Sequence, residues 1–363
     1  MVKIGYIFLN IKSCKILHPS FYLCKMVVKN EVSLKPFNTF GVNAKAHYFA
    51  EIVSVSDLQK ALSFTKEKKI PLLMLGGGSN ILFTSDFEGL VLLNRMQGME
   101  TVKETDEFLW LKVMGGGSWP DWVDYCVERG LGGIENLSLI PGTIGAAPIQ
   151  NIGAYGVEVK EVVDNVEIFD VEKGETRIVT NQECEFAYRN SLFKKSVKGK
   201  YFVLSVTFKL SRKPTLNLNY APLKSYFEGR DTESISVLEV SEAVKRIRRS
   251  KLPNPDKLGN AGSFFKNPVV KNSRLQKLLK TYPEIPHYPF DKNSSKLAAG
   301  WLIERCGWKG KRIGDAGVHD KQALVLVNYG SASGEEVVNL ATEVKKSVEK
   351  EFGVRLEFEV NVH

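Results

Sequence analysis

A run of seventeen uncharged residues, 140–156, constrains the fold of this chain more than any other feature of its sequence. The run contains four glycines and two prolines, so it is a poor candidate for a regular helix or strand. Small side chains let the backbone approach a flat ligand closely, and Gln150 and Asn151 add amide groups that can form hydrogen bonds. The alternative is a buried loop that only fills the core. We favour contact with a cofactor.

Two glycine turns follow short apolar strands. Residues 72–75 lead into Gly76-Gly77-Gly78-Ser79-Asn80, and residues 109–114 lead into Gly115-Gly116-Gly117-Ser118. Such turns leave backbone N–H groups accessible to a phosphate or pyrophosphate, and two of them together suggest a nucleotide. Neither turn completes the Rossmann or P-loop fingerprint. Either one alone is more typical of a tight β-turn.

The spacing of apolar residues predicts a mixed α+β protein. We expect helices over residues 56–69, 119–129, 241–249, 275–279, 297–306 and 333–352, with Ser56 as the N-terminal cap of the first and Glu335 and Glu336 in the first turn of the last. We expect strands over residues 72–75, 90–93, 109–114, 162–170, 202–210 and 354–362. The proline-containing segment 212–255 divides a larger N-terminal part from a smaller C-terminal domain.

Charge and cysteine content exclude several classes of protein. The net charge is +9, but five lysines lie in the first thirty residues, which contain no acid, so the other 333 residues carry only +4. A basic nucleic-acid-binding face would extend through the folded body, so this distribution argues against one. No apolar run approaches the ~18 residues that a membrane helix requires. The five cysteines form no Cys-x-x-Cys pair, which predicts reduced thiols in a cytoplasm and no metal site.

Residues 1–25 are set apart from the rest of the chain. Their apolar start is interrupted by Asn10, Lys12 and Lys15, and no small-x-small cleavage site follows. We expect either that translation begins at Met26 or that this leader is an unstructured tail.

Several polar residues could carry chemistry. Arg189 follows an aromatic residue and could clamp a carboxylate, and Ser263 stands between a glycine and two phenylalanines, where it could donate a proton. Taken alone, an arginine or a serine in such a position more often has a structural role. Arg355, Glu357 and Glu359 alternate on the predicted last strand and would share one face, which by default is a solvated edge. The basic residues within 245–251 predict a solvated helix face by default. The more specific interpretation is a phosphate-binding site near Lys251.

Taken together, these segments resemble the UDP-N-acetylenolpyruvoylglucosamine reductase family of flavoenzymes, also called the MurB family. The resemblance covers residues 34–360. The motifs that carry it occur in family order: residues 36–41, 76–80, 141–156, 188–189, 251–253, 262–268, 296–303 and 356–360. The sequence departs from the family pattern at Phe358, where the family has a proline.

The resemblance implies a fold and a division into domains. The expected fold is a two-subdomain FAD-binding domain of the vanillyl-alcohol-oxidase (PCMH) type, followed by a C-terminal α+β substrate-binding domain. The expected boundaries are a leader at 1–25, the FAD-binding domain at 26–213, a connecting segment with a substrate loop at 214–250, and the substrate-binding domain at 251–363.

The resemblance also implies a reaction. NADPH would reduce FAD, and the reduced flavin would pass hydride to C3 of the enolpyruvyl ether of UDP-N-acetylglucosamine, giving UDP-N-acetylmuramate for peptidoglycan synthesis. No histidine lies in either flavin-loop segment, so the FAD is expected to be noncovalent. We expect a cytoplasmic monomer whose partner is this small UDP-sugar, with no nucleic-acid or membrane partner.

Roles follow from the motifs, residue by residue. Ser263 matches the proton donor to C2, and Arg189 and Glu359 match the residues that orient and polarise the enolpyruvyl group. The implied substrate contacts are Tyr220, Lys251, Asn267, Tyr288 and Gln322, with Lys251 at the diphosphate. The implied cofactor contacts are Gly76, Gly77, Gly78, Ser79, Asn80, Pro141, Gly142, Thr143, Gly145, Gln150, Asn151, Gly153, Ala154, Tyr155 and Gly156.

Three alternatives stay open. The first is another flavin oxidoreductase of the same fold, which reduces O2 or oxidises an alcohol; the Ser263 and Glu359 segments argue against it. The second is a UDP-sugar-binding regulator without turnover, although Arg189, Ser263 and Glu359 are all intact. The third and weakest is a basic nucleic-acid binder.

Overall fold

The computed structural model describes residues 26–195, 197 and 199–363, and the predicted leader at 1–25 lies outside the described residues. Over these ranges the protein combines helices and strands, which confirms the expected α+β class. Short 3₁₀ turns complete the connections at Lys35–Phe37, Glu135–Leu137, Ile144–Ala146, Val159–Glu161, Leu192–Lys194 and Thr232–Ser234.

The first part of the chain is a four-stranded sheet with one helix. Its elements are β1 (Lys29–Ser33), β2 (Lys45–Ile52), α1 (Val55–Lys68), β3 (Leu72–Leu75), β4 (Ile81–Leu82) and β5 (Phe87–Asn94). The strand order is β1-β2-β5-β3, and β5 pairs in parallel with both of its neighbours. A central parallel strand is covered on both faces, which explains the continuous apolar run in β5. The predicted cap Ser56 is wrong: Ser54 caps α1, because its Oγ accepts the N–H of Asp57.

The second part is a five-stranded antiparallel sheet, in the order β11-β10-β12-β7-β6. Its elements are β6 (Met99–Glu104), β7 (Phe108–Met114), α2 (Trp119–Val127), β8 (Gly153–Ala154), β9 (Val157–Glu158), β10 (Val163–Asp170), β11 (Glu175–Thr180) and β12 (Tyr201–Ser211). Trp119 and Trp122 of α2 pack on Phe208 of β12. Helix α2 ends at Val127 rather than at residue 129, and the chain then turns through Gly130 at φ +71°. The uncharged run forms almost no regular structure, as its glycines and prolines predicted.

The third part carries two further antiparallel sheets, β13-β19-β18-β17 and β14-β16-β15. Its helices are α3 (Ala221–Tyr226), α4 (Val237–Lys251), α5 (Asn272–Thr281), α6 (Ala299–Arg305) and α7 (Gly334–Phe352). Its strands are β13 (Gly259–Ser263), β14 (Val269–Lys271), β15 (His287–Pro289), β16 (Ser294–Leu297), β17 (Arg312–Ile313), β18 (Ala316–Val318), β19 (Val325–Asn328) and β20 (Asn361–Val362). Helix α7 follows Ser333 and ends before Gly353, which has φ +58°, as predicted. The Ser333 side chain caps the helix by accepting the N–H of Glu336.

The predicted terminal strand over 354–362 is wrong for most of its length. Only β20 is a strand, and it pairs in parallel with β4 of the first part. The Asn361 N–H and its side chain both donate to the backbone oxygen of Asn80. Phe40 and Leu82 also join the apolar core of the third part. The end of the chain is therefore fixed against the glycine turn at 76–80.

No helix among the described residues has the length and apolar character needed to cross a membrane. The same ranges contain no group of three or more His, Cys, Asp or Glu side chains that could hold a metal ion.

Candidate active site

A cleft of about 450 Å³ lies where the three parts of the chain meet. One wall is the glycine turn 76–80, and the facing wall is the uncharged run, with most of residues 140–154 in contact with the cleft. Among the other residues that line it are four polar ones from distant points of the sequence: Arg189, Arg248, Ser263 and Glu359.

The glycine turn is packed too tightly to accept larger side chains. Gly78 has φ +62°, and a Cβ atom there would lie 1.9 Å from the backbone oxygen of Phe37. A Cβ at Gly77 would lie 3.0 Å from Cα of Gly142 in the uncharged run, and the Ser79 hydroxyl donates to the backbone oxygen of Pro141 at 3.0 Å. The two walls of the cleft are therefore in direct backbone contact.

We expect Gly78→Ala to lower the free energy of unfolding by at least ~3 kcal/mol, because it adds a backbone clash to an unfavourable φ. Urea denaturation of the purified variant measures this. Gly229→Ala is the matched control, since Gly229 has φ +78° with open space around it, and should cost only about 1 kcal/mol. Equal losses in the two variants would contradict the close packing at Gly78.

The two walls also leave backbone donors without protein acceptors. Within the described ranges, the N–H groups of Gly77, Gly78, Ser79, Gly142 and Thr143 donate to no other residue. Four of these five residues, all but Gly77, are buried or half-buried, where N–H groups are normally paired. A set of free donors across a narrow gap therefore suits the oxygens of a pyrophosphate. These residues fit the pyrophosphate of a dinucleotide cofactor such as FAD.

The second glycine turn behaves differently. The N–H groups of Gly115, Gly116 and Gly117 donate to the backbone oxygens of Leu204, Met96 and Met114. Its donors are therefore consumed by the fold, and only Gly115 touches the cleft. The prediction that both glycine turns bind a nucleotide is therefore wrong for the turn at 115–118.

Arg189 and Glu359 form an ion pair inside the cleft. Arg189 Nε lies 3.0 Å from Glu359 Oε1, and both side chains are largely buried, with 18% and 14% of their surface exposed. A second guanidinium nitrogen of Arg189 donates to the backbone oxygen of Gly153 at 2.6 Å. Burial raises the pKa of Glu359, and the nearby Arg189 guanidinium opposes that rise. Arg189, which the sequence predicted to clamp a carboxylate, is therefore already paired with the carboxylate of Glu359.

The segment 357–359 runs beside residues 264–266. The N–H of Glu359 donates to the backbone oxygen of Phe264, and that of Lys266 donates to Glu357. The Phe358 ring packs on Phe264, with ring centroids 5.1 Å apart. An aromatic contact therefore holds this segment at the position where the family pattern has a proline.

Of the three charged residues predicted to share one face, only Glu359 lies in the cleft. Glu357 is exposed and pairs with Lys266 at 2.9 Å, and Arg355 is exposed and pairs with Glu349. Arg355 and Glu357 alternate with the buried Val354 and Leu356, so they share an exposed face, and Glu359 alone reaches the cleft.

Ser263 ends β13 and lines the same cleft. The preceding Gly262 has φ +68°, and its N–H donates to Oδ1 of Asn260. No hydrogen bond to the Ser263 hydroxyl is present within the described part of the chain. The hydroxyl is therefore available to a ligand.

The comparisons with known proteins agree with this geometry. Residues 254–363 match the model of the UDP-N-acetylenolpyruvoylglucosamine reductase C-terminal domain, and residues 46–180 match an FAD-binding domain. The chain is 44% identical over 338 residues to the UDP-N-acetylenolpyruvoylglucosamine reductase of Flavobacterium johnsoniae, covering 93% of this chain and 100% of that protein. It belongs to the UDP-N-acetylenolpyruvoylglucosamine reductase family.

Two further relatives support the assignment to this reductase family. The reductase of Pseudomonas aeruginosa is 45% identical, with 93% of this chain and 99% of that protein covered. The crystal structure of the Thermus caldophilus reductase superposes with a TM-score of 0.65 at 25% identity, covering 93% of this chain and 99% of that one. The predicted family and the FAD-binding domain are confirmed.

None of the five predicted substrate contacts lines the cleft in the described structure. Tyr220 stacks edge-on against Tyr155, and the N–H of Asn267 donates to the hydroxyl of Tyr188, the residue before Arg189. Of the remaining three, Tyr288 is exposed on β15, Gln322 Oε1 accepts the N–H of Leu324, and Lys251 is exposed at the end of α4.

Three predicted cofactor contacts also lie outside the cleft lining. Asn151 is buried and its side chain donates to Glu158 and to the backbone oxygen of Ala187. Tyr155 packs on Tyr220, and Gly156 receives a hydrogen bond from Asn217. The Asn151 side chain thus stabilises the conformation of the uncharged run 140–156.

Sequence analysis did not identify Arg248 as a residue that lines the cleft of this reductase. The basic cluster of α4 divides by face: Lys245 is buried and pairs with Asp124 and Glu242, whereas Arg246 and Arg249 are exposed. Arg248 alone among these residues lines the cleft.

Proposed function

We propose that this chain reduces the enolpyruvyl ether of UDP-N-acetylglucosamine to UDP-N-acetylmuramate, with noncovalent FAD as cofactor and NADPH as hydride donor. The observation that carries the proposal is the convergence of Arg189, Ser263 and Glu359 in the cleft whose walls offer free N–H groups to a pyrophosphate. FAD supplies the means of carrying hydride from NADPH to the substrate.

Arg189 acts as the electrophile for the substrate. Hydride addition β to the substrate carboxylate builds negative charge on that carboxylate, and a guanidinium already fixed in a water-poor cleft stabilises it without reorganisation. The ion pair with Glu359 and the hydrogen bond to Gly153 fix its orientation. Glu359 polarises the same end of the substrate.

Ser263 donates the proton that completes the reduction at C2. A serine hydroxyl is a weak acid, so the transfer requires that the developing carbanion be held close to the hydroxyl and that Arg189 limit its charge. The free hydroxyl of Ser263, in the same cleft as Arg189, supports this role.

The UDP portion of the substrate extends from the cleft toward Tyr220, Asn267, Tyr288 and Gln322, with Lys251 at the diphosphate. Lys251 is exposed, has no ion-pair partner within the described ranges, and ends α4. A flexible exposed cation of this kind suits a phosphate group.

Lys251→Ala is expected to weaken substrate binding about 10- to 100-fold, because one charge-assisted hydrogen bond contributes roughly 1.5–3 kcal/mol. Titration of the oxidised enzyme with substrate, followed through the flavin absorbance, measures the dissociation constant without turnover. Arg246→Ala, also exposed on α4, is the control and should bind normally. An unchanged affinity in Lys251→Ala would refute the diphosphate role.

In this proposal the chain works as a cytoplasmic monomer on a small UDP-sugar, without a nucleic-acid or membrane partner. Its product enters peptidoglycan precursor synthesis, on which cell-wall biogenesis, cell shape and cell division depend. The proposed domains are 26–213 for FAD, 214–250 for the connection and 251–363 for the substrate.

Anaerobic stopped-flow spectroscopy tests the function. The purified holoenzyme is bleached with NADPH, and UDP-N-acetylglucosamine enolpyruvate is then added while the flavin band is recorded. Rapid recovery of absorbance without oxygen is the expected result. Bleaching without substrate-driven recovery would instead indicate another flavin oxidoreductase, and a colourless protein that cannot be reconstituted with FAD would indicate a UDP-sugar-binding protein.

A further inference from the structure

Asn80 and Asn361 both line the cleft, and their side chains join the glycine turn to the last segment of the chain. The side-chain Nδ2 of Asn361 donates to the backbone oxygen of Asn80 at 3.0 Å. In the opposite direction, Nδ2 of Asn80 donates to the backbone oxygen of Glu359 at 3.4 Å, and also to Oε1 of Gln150. We call Asn80 and Asn361 the amide clamp. It connects the glycine turn, the uncharged run and the segment that carries Glu359.

The side-chain hydrogen bond of Asn361 is additional to what strand pairing requires. The backbone N–H of Asn361 already donates to the same oxygen of Asn80 at 3.2 Å, where β20 pairs with β4. One donor is enough to pair a backbone oxygen, although its two lone pairs can accept two. The pairing continues at His363, whose N–H donates to the backbone oxygen of Leu82. The Asn361 side chain therefore restricts the orientation of Asn80 rather than completing the pairing.

The position of Glu359 depends on the amide clamp at one of its two backbone anchors. Its N–H donates to the backbone oxygen of Phe264 at 2.8 Å, and its backbone oxygen accepts the Asn80 amide. Its carboxylate lies 3.0 Å from Nε of Arg189. A displacement of about 1 Å in a catalytic group can slow a reaction ~10²-fold, so these anchors affect the rate as well as the fold. Asn361 supports the second anchor from two residues away.

We propose that Asn361 is a positioning residue for the reduction of the substrate: through Asn80, it fixes Glu359, and with it the Arg189 guanidinium, in the orientation that the substrate meets. The inference rests on the proposed function above. Asn361 exchanges no proton and no electron, so the balance of the reaction is unchanged. Because the proposed role of Glu359 concerns the substrate alone, only the half-reaction with the substrate should depend on Asn361.

The first test measures the two half-reactions of Asn361→Leu by anaerobic stopped-flow spectroscopy. Leucine keeps the size and branching of asparagine and leaves the backbone pairing of β20 intact, but it cannot donate a hydrogen bond. We expect reoxidation by the enolpyruvyl substrate to slow about tenfold and bleaching by NADPH to stay within twofold of wild type. Equal slowing of both half-reactions would mean that Asn361 shapes the cofactor cleft in general, and would overturn the proposal.

Asn181→Leu is the matched control. Nδ2 of Asn181 donates to the backbone oxygens of Lys160 and Val163 at 2.8 and 2.6 Å, and the residue does not line the cleft. This variant should lower the melting temperature at least as much as Asn361→Leu, because it removes two hydrogen bonds rather than one. Both of its half-reactions should nevertheless run within twofold of wild type. A tenfold slower reoxidation in Asn181→Leu would attribute the effect of Asn361→Leu to lost stability instead of positioning.

A double variant tests whether Asn361 acts through Glu359. Added to Glu359→Gln, the substitution Asn361→Leu should slow reoxidation less than twofold further, because the carboxylate that it positions is already gone. A further tenfold loss would show that Asn361 affects the reaction independently of Glu359, and would contradict the proposed role.

Hydrogen exchange of the oxidised holoenzyme, followed by mass spectrometry, tests the amide clamp without turnover. The amides of residues 357–363 should exchange about fivefold faster in Asn361→Leu than in wild type, as expected for the loss of one hydrogen bond, and at the wild-type rate in Asn181→Leu. Unchanged exchange in Asn361→Leu would overturn the clamp.

The proposed function and the role of Asn361 fail in different ways. A wild-type enzyme that the enolpyruvyl substrate does not reoxidise, but whose exchange at 357–363 depends on Asn361, would contradict the proposed reaction and leave the amide clamp in place. Normal reoxidation, with rates and exchange that are the same in Asn361→Leu as in wild type, would do the reverse.

Discussion

Ser263→Ala is expected to leave the bleaching of the flavin by NADPH unchanged and to slow its anaerobic reoxidation by the enolpyruvyl substrate by about 10³-fold. Only the second half-reaction requires a proton at C2, and a positioned general acid contributes typically 10² to 10⁴. The hydroxyl lies free in the cleft that contains Arg189 and Glu359, and its removal creates no unpaired protein group. Stopped-flow measurement of each half-reaction separates the two effects.

The control for this variant is Ser250→Ala, in an exposed position where the hydroxyl only donates to the backbone oxygen of Ile247. Both of its half-reactions should run at wild-type rates. Equal losses in the two half-reactions of Ser263→Ala would mean that the residue shapes the cleft rather than donates the proton.

Much of the fold could be predicted from apolar spacing and caps. Helix α7 can be predicted from about Ser333 to Phe352, because its acidic first turn, its apolar stripe and its glycine stop all agree. Ser54 and Ser56 are both candidate N-terminal caps of α1. The sequence alone does not show that the hydroxyl of Ser54, rather than that of Ser56, accepts the N–H of Asp57. The last segment alternates like a strand, yet it is held by single contacts to residues 264–266 and by β20 pairing with β4. Those partners are distant in sequence, so local pattern alone could not locate them.

The candidate site was predicted in part for the same reason. Small residues and glycine turns show where a backbone can approach a ligand, and the turn 76–80 does have free N–H groups. The similar turn at Gly115 donates its N–H to Leu204 of the neighbouring strand, which depends on how the sheets assemble. Arg248 could not be separated from Arg246 and Arg249 by sequence, because a helix face becomes buried only through its tertiary neighbours.

The ion pair between Arg189 and Glu359 is expected to act as one unit. We expect Arg189→Met and Glu359→Gln each to slow reoxidation by substrate 10²- to 10³-fold, since each removes or misorients the positive charge that stabilises the transition state. The double variant should be less than tenfold slower than the worse single variant, because the first substitution already destroys what the second would remove. The three rate constants, compared with that of the wild type, give the coupling directly.

A second ion pair, between Lys266 and Glu357, provides the control for this experiment. Lys266 and Glu357 are 2.9 Å apart, and Glu357 lies on the same segment as Glu359, but Glu357 is 75% exposed. An exposed pair of this kind contributes little, so Glu357→Gln should leave reoxidation within twofold of the wild-type rate. If the effects of Arg189→Met and Glu359→Gln instead multiplied in the double variant, the two residues would stabilise the transition state independently. The buried geometry at 3.0 Å argues for coupling, because a carboxylate that orients a guanidinium loses that part of its role once the guanidinium is gone.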